Sequence, residues 1–167
     1  ASTRPCRVRV DFHEDFGRVL YCTERVRAFE DLVVESPVIK LARRDNSWTV
    51  QDFKDEYAKL DSVQREFLAC MGGQHDFTNH SISNALTPEE DHFRRVLHVN
   101  AHDYGSADTT TSVIFRNISM AQHACADISA FFVSDEAQGL GRLRAARDLE
   151  IGDAVIVSYI AGLGLSL

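Results

Sequence analysis

Leu143-Arg144-Ala145-Ala146-Arg147-Asp148-Leu149-Glu150-Ile151-Gly152-Asp153 runs directly into Ala154-Val155-Ile156-Val157-Ser158-Tyr159-Ile160. The mixture of charge and glycine over 147–153 predicts a turn. The β-branched run after it predicts a strand over 154–160, with Val155, Val157 and Tyr159 on one side. Working outward, Ala130 to Val133 and Ser112 to Phe115 are further strand candidates. At the other end of the chain, Val8, Val10 and Phe12 alternate with Arg7, Arg9 and Asp11, which predicts a half-buried strand. Gly17 marks a break, Leu20 to Cys22 and Leu32 to Val34 are short β-prone pieces, and Pro37 ends the second.

Between these strand-rich ends the period changes. Thr49 with Asp52 forms a capping-box pattern ahead of the stripe Val50, Phe53, Tyr57 and Leu60. A second stripe, Val63, Phe67 and Met71, is stopped by Gly72-Gly73. Gln74 to Leu86 reads as a polar loop. Thr87, Pro88 and Glu90 then start a third helix with Phe93, Val96, Leu97, Asn100 and Tyr104 on one face and Gly105 at its end. Asn100 is a polar amide on an apolar stripe, and a buried amide without partners costs about 1–3 kcal/mol. The pattern is β, then helical, then β: mixed α/β and mainly β.

Composition sets bounds on function. The 167 residues fit one domain and can bury a core without staples. A net charge of -7 lacks the clustered Lys and Arg of a dedicated nucleic-acid binder, so no direct nucleic-acid contact is expected. No run approaches the ~20 apolar residues that span a bilayer. Cys6, Cys22, Cys70 and Cys125 form neither a C-x-x-C pair nor a compact framework, so reduced thiols and an intracellular setting are the default. Arg4, Arg7 and Arg9 precede the first acidic residue, Asp11, which leaves a mitochondrial compartment open. His98 and His102 are spaced i, i+4 but find no third ligand on a matching element, so no metal site is expected.

Four pieces, in order, resemble a SET domain, the fold of protein-lysine methyltransferases. Gly17-Arg18-Val19-Leu20-Tyr21-Cys22, then Arg27-Ala28-Phe29-Glu30 and Asp31 to Pro37, is similar to the family's opening Gly-x-Gly-Leu turn, its basic-x-Gly-Glu turn and the strand that ends in proline. Leu60 to Leu68 and Val99-Asn100-Ala101-His102 resemble the helical insert of SMYD-like SET proteins. Ile118-Ser119-Met120-Ala121-Gln122-His123-Ala124-Cys125 stands where the family has S-x-x-N-H-S-C. The stretches 143–153 and 157–160 are similar to its A-x-R-D-I-x-x-G-E turn and I-S-Y-I strand.

The resemblance implies one SET-like domain over 1–167: N-terminal strands in 7–39, a helical insert in 46–105 and a C-terminal core in 112–160, arranged as several small β-sheets, with the last segment threaded under a loop near Cys125. It implies transfer of a methyl group from S-adenosylmethionine to a lysine of a protein substrate. Tyr159 would be the active-site residue, and Gly17, Arg18, Asn100, Gln122 and His123 would line the cofactor. The chemistry asks for a neutral lysine, whose ordinary pKa is about 10.4, and for aligned reactants. Departures accompany the matches. Val19 replaces the second glycine, Gln122 the motif asparagine, Ala124 the serine and Asp127-Ile128 a proline-asparagine pair, and no cysteine cluster follows the core. They support an alternative: a catalytically inactive SET fold retained as a structural or binding subunit of a larger assembly.

Overall fold

A computed structural model describes residues 6–15, 17–42, 48–72, 84–104, 111–124 and 126–158. The chain divides into two compact units, one of residues 1–37 and 115–167, the other of residues 38–114.

In the first unit, β1 (Val8–His13) and β2 (Gly17–Cys22) form an antiparallel hairpin with Val8 opposite Cys22 and His13 opposite Gly17. Gly17 opens β2 at φ +71°, a left-handed backbone that suits glycine. The other edge of β2 is held by the stretch after the 147–153 turn: Val155 donates to the Leu20 oxygen at 2.8 Å and Cys22 to the Asp153 oxygen at 2.9 Å. β2 is therefore flanked on both sides, and Val19, Leu20 and Cys22 are buried.

A five-stranded sheet runs in the order β3 (Asp31–Glu35), β9 (Leu140–Ala145), β8 (Ala130–Asp135), β10 (Ile156–Val157), β7 (Gln122–His123). β3, β9 and β8 pair antiparallel, whereas β10 lies parallel to both β8 and β7. Leu32, Val33, Leu143, Ala130 and Val157 supply its buried face. Its opposite face carries an ion network in which Arg142 bridges Asp31 at 2.7 Å and Asp135 at 2.8 Å, and Arg144 also reaches Asp31 at 2.8 Å. Hydrogen bonding from Arg142 holds the Asp135 carboxyl below its ordinary pKa.

β9 has a glycine in its interior for a steric reason. A Cβ on Gly141 would press into the Phe115 ring and against Phe132, two aromatics whose tilted rings lie 5.5 Å apart. The short 3-10 helix Ile118–Met120 packs nearby, and its buried Ser119 hydroxyl accepts the Phe115 amide at 3.0 Å.

In the second unit, β4 (Ile39–Ala42), β6 (Thr111–Ile114) and β5 (His102–Tyr104) form an antiparallel sheet with β6 in the middle. Among the described residues three helices accompany it: α1 (Val50–Lys59), α2 (Ser62–Ala69) and α3 (Pro88–Asn100). The expected capping boxes of Thr49 with Asp52 and Thr87 with Glu90 are present, with Pro88 in the first turn. A further box, Asp61 with Gln64, starts α2. Phe93 and Val96 are fully buried and Tyr57 packs on Phe93 at 5.7 Å.

The structure corrects several expectations. α3 stops at Asn100, and Ala101 turns the backbone to ψ 141°, so Tyr104 is a buried strand residue and not part of the helical stripe. His98 and His102 consequently sit on different elements. In α2 the inward side is marked by Leu68, followed by Met71, while Val63 is 65% exposed. Val10 and Phe12 do not lie against the core. Of the strand expected over 154–160, Ala154 makes a single bridge to Tyr21 and Ile156–Val157 pair as β10, while residues 159 and 160 lie outside the described residues. The polar loop over 74–83, Gly73, Gly105, Cys125 and the threading of the last segment lie outside the described residues.

Candidate functional site

The motif pieces that fall in the first unit meet there in two clusters. In the first cluster, the turn Arg27–Glu30 is knitted to the 145–149 stretch. Val26 and Leu149 exchange backbone bonds at 3.0 and 2.8 Å, Phe29 donates to the Ala145 oxygen at 2.8 Å, and the Asp148 carboxylate accepts the Ala28 amide at 2.9 Å. Phe29 stands where the family's turn has glycine, and its φ is +69°. The backbone of the family turn is thus kept by a residue that strains to adopt it. Beyond it, Glu150 and Asp153 cap each other across Gly152, at φ +89°, and the Gly152 amide donates to the Cys22 oxygen at 2.9 Å. These contacts make the Arg147–Asp153 motif a brace for β2.

The second cluster holds four of the candidate cofactor residues. Gly17 and Arg18 open β2; Gln122 and His123 form β7. The Gln122 side-chain amide donates to the Arg18 main-chain oxygen at 2.6 Å. The Arg18 guanidinium lies 3.9 Å from the Met120 sulfur. β7 is positioned from both ends. Glu35 grips the start of the 3-10 helix, its carboxylate accepting the Asn117 and Ile118 amides at 2.8 Å and the Asn117 side-chain amide at 3.0 Å. On the other side, β7 pairs in parallel with β10, Gln122 opposite Ile156 and His123 opposite Val157. The buried Ser129 hydroxyl sets β10 by accepting the Ile156 amide at 2.8 Å and donating to the Ala154 oxygen at 3.0 Å. Glu35 and Ser129 were not singled out from sequence: nothing local distinguishes a glutamate at a strand end, or a serine before a strand, whose partners lie far along the chain.

The fit of this cluster to an adenosine-bearing cofactor is uneven. Among the described residues nothing lies within 4 Å of where a Gly17 side chain would stand, and His123 is exposed. By contrast, the Gln122 amide is occupied by Arg18, and Val19, in place of the family's second glycine, is 4% exposed and points into packed surroundings. Cys22 next to this region is no ready nucleophile, because burial, with Asp153 adding to it, raises its thiol pKa.

Asn100 belongs to the second unit. At the end of α3 its side-chain amide donates to the Gly72 oxygen at 3.1 Å and the Val96 oxygen at 3.0 Å, which satisfies the polar group that stood out on the apolar stripe. Tyr159 lies outside the described residues. Among the described residues no His, Cys, Asp and Glu group is arranged to hold a metal, and no helix is long and apolar enough to cross a membrane.

No family model and no curated protein matches the sequence. Solved structures do match its architecture. The SET domain of LSMT, bound to lysine and AdoHcy, superposes with a TM-score of 0.62 over 97% of this chain and 51% of that one, at 9% identity. CpSET8 from Cryptosporidium gives 0.56 over 93% of this chain and 58% of that one, at 8% identity. The chain has a SET fold. A Plasmodium falciparum protein described as a candidate histone methyltransferase gives 0.50 at 9% identity, covering 95% of this chain and 96% of its own. The chain spans about half the length of the LSMT chain and just under three-fifths of the CpSET8 chain. The SET fold explains why residues as far apart as Arg18 and Gln122, or Ala28 and Asp148, are brought into contact.

Proposed function

We propose that this SET-fold chain is an S-adenosylmethionine-dependent protein-lysine N-methyltransferase of SMYD-like type, acting inside the cell as one domain over residues 1–167. The observation that carries the reading is the junction of β2 and β7, where Gly17-Arg18 and Gln122-His123, two motif pieces remote in sequence, adjoin, with space beside Gly17 among the described residues. In this reading Gly17, Arg18, Gln122 and His123 hold the cofactor, which supplies a methyl group on a sulfonium. Tyr159 positions the substrate lysine, whose amine must be stripped of its proton and aligned for in-line attack. The protein partner is the lysine-bearing substrate.

One observation favours a second reading. The Gln122 amide is spent on the Arg18 backbone and Val19 fills the place of a glycine, which suits a SET fold kept as an inactive structural or binding subunit of a larger assembly. Incubation with methyl-labelled S-adenosylmethionine and a cell-extract protein library separates the two. The enzyme reading expects label on lysine, lost in Tyr159→Phe while the variant still binds AdoHcy. Binding of the cofactor with no label on any protein would favour the inactive subunit.

A further inference from the structure

Residues Val8 to Phe12, Val-Arg-Val-Asp-Phe, form a strand with an open edge. Among the described residues β1 pairs with β2 alone. On its other side β3 covers only the start, where Cys6 bridges Val33 and the Arg7 amide donates to the Leu32 oxygen at 2.8 Å. From Val8 onward no described strand pairs with that edge. The Phe12 amide, turned to this side, donates to the carboxylate of its own neighbour Asp11 at 2.9 Å. Because amides alternate sides along a strand, the Val10 amide faces the same way. An open edge of this kind is a template for another strand.

The side chains say which strand. Val10 is 43% and Phe12 74% exposed, on one face of β1. Arg9 and Asp11 are 64% and 53% exposed, on the other face, and lie 3.6 Å apart. Laid antiparallel on itself with Val10 opposite Val10, the segment places Arg9 opposite Asp11 and Asp11 opposite Arg9, and Val8 opposite Phe12 twice. Both charge pairs are then of opposite sign, and the exposed Phe12 ring comes to lie beside the buried Val8. A two-fold axis through Val10 generates this contact, as an isologous interface requires. Shifting the axis to Asp11 would set two carboxylates against each other, so the pattern selects one register.

We propose that the β1 edge pairs with the β1 edge of a second copy of this chain, in antiparallel register about Val10, to form a two-fold symmetric dimer. The partner strand reaches no farther than Val8, where β3 takes over the edge. The contact is small and the dimer therefore concentration-dependent. The proposal stands independently of the methyltransferase reading.

Sedimentation velocity on the full chain tests it. The unaltered protein is expected to pass from monomer to dimer as concentration rises. Arg9→Asp gives an all-acidic edge and Asp11→Arg an all-basic one, and each alone should weaken dimerisation by about tenfold or more. Mixed in equal amounts, these two variants are complementary only between chains and should form a heterodimer. The exchange Arg9→Asp with Asp11→Arg in one chain should restore the homodimer. Circular dichroism on each variant checks that the exposed changes leave the fold intact. A protein that stays monomeric to its solubility limit, a dimer that persists in both single variants, or variants that ignore each other on mixing would overturn the proposal.

Discussion

The side-chain amide of Gln122 donates to the main-chain oxygen of Arg18 at 2.6 Å, across 104 residues of sequence. This bond turns a departure from the family motif into a structural tie. The asparagine expected at this place is one methylene shorter and would not span the same distance. Gln122→Asn should therefore cost about 0.5–1.5 kcal/mol of stability, read as a fall in the urea midpoint. An unchanged midpoint would mean that the tie contributes nothing.

Combining Gln122→Asn with Val19→Gly frees the Arg18 backbone and removes the side chain that replaces the family's second glycine. AdoHcy should bind more tightly to this double variant than to the parent chain. Val19 is 4% exposed, so the gain comes with a loss of about 2–4 kcal/mol in stability from the vacated space and the added glycine. A folded double variant with unchanged affinity would show that these two residues do not govern the pocket.

Phe29 holds φ +69° with its ring 60% exposed and edge-on to Phe131 at 6.5 Å. Replacing it tests whether the turn needs that backbone. Phe29→Gly should be tolerated or mildly stabilising, whereas Phe29→Val should fall below it by about 1–2 kcal/mol, since a β-branched residue resists the left-handed region. Equal thermal midpoints for the two variants would contradict this.

Gly141→Ala should destabilise by about 1–3 kcal/mol, because its Cβ meets the Phe115 ring and Phe132. Phe115→Leu in the same chain should recover part of that loss, a coupling that a double-mutant cycle measures. Additive effects would place the strain elsewhere.

In the second unit, burial holds the His102 imidazole down to about 4 from an ordinary 6.5, against the opposing pull of Asp103. Its Nε2 is shielded from solvent. Between pH 6.5 and about 4 the unfolded chain therefore takes up a proton that the folded chain refuses. Stability contributed at this position rises with pH over that window, is complete above it and falls by about 1–3 kcal/mol towards its acid end. His102→Gln should flatten this part of the pH profile in urea titrations; an unchanged slope would remove His102 as its source.

Local signals were legible and remote ones were not. The Thr49 and Thr87 capping boxes are complete within four residues of sequence, and both helices start where those residues predict. β9 escaped notice because Leu140-Gly141-Arg142-Leu143-Arg144-Ala145 reads as charged and broken by glycine; its glycine answers to Phe115 and its arginines to Asp31 and Asp135, none of which is a neighbour in sequence. β5 was hidden because apolar spacing continues from Leu97 to Tyr104 although the backbone turns at Ala101. At the site, Gln122 and Val19 stood out as departures, yet what each does depends on Arg18 and on the strands flanking β2, which only the fold supplies.

Isothermal titration of AdoHcy into the full chain tests the central claim most directly. The account predicts saturable binding of one ligand per chain, weakened when His123→Ala is introduced. An absence of heat at saturating ligand, with the chain folded, would contradict a working cofactor site.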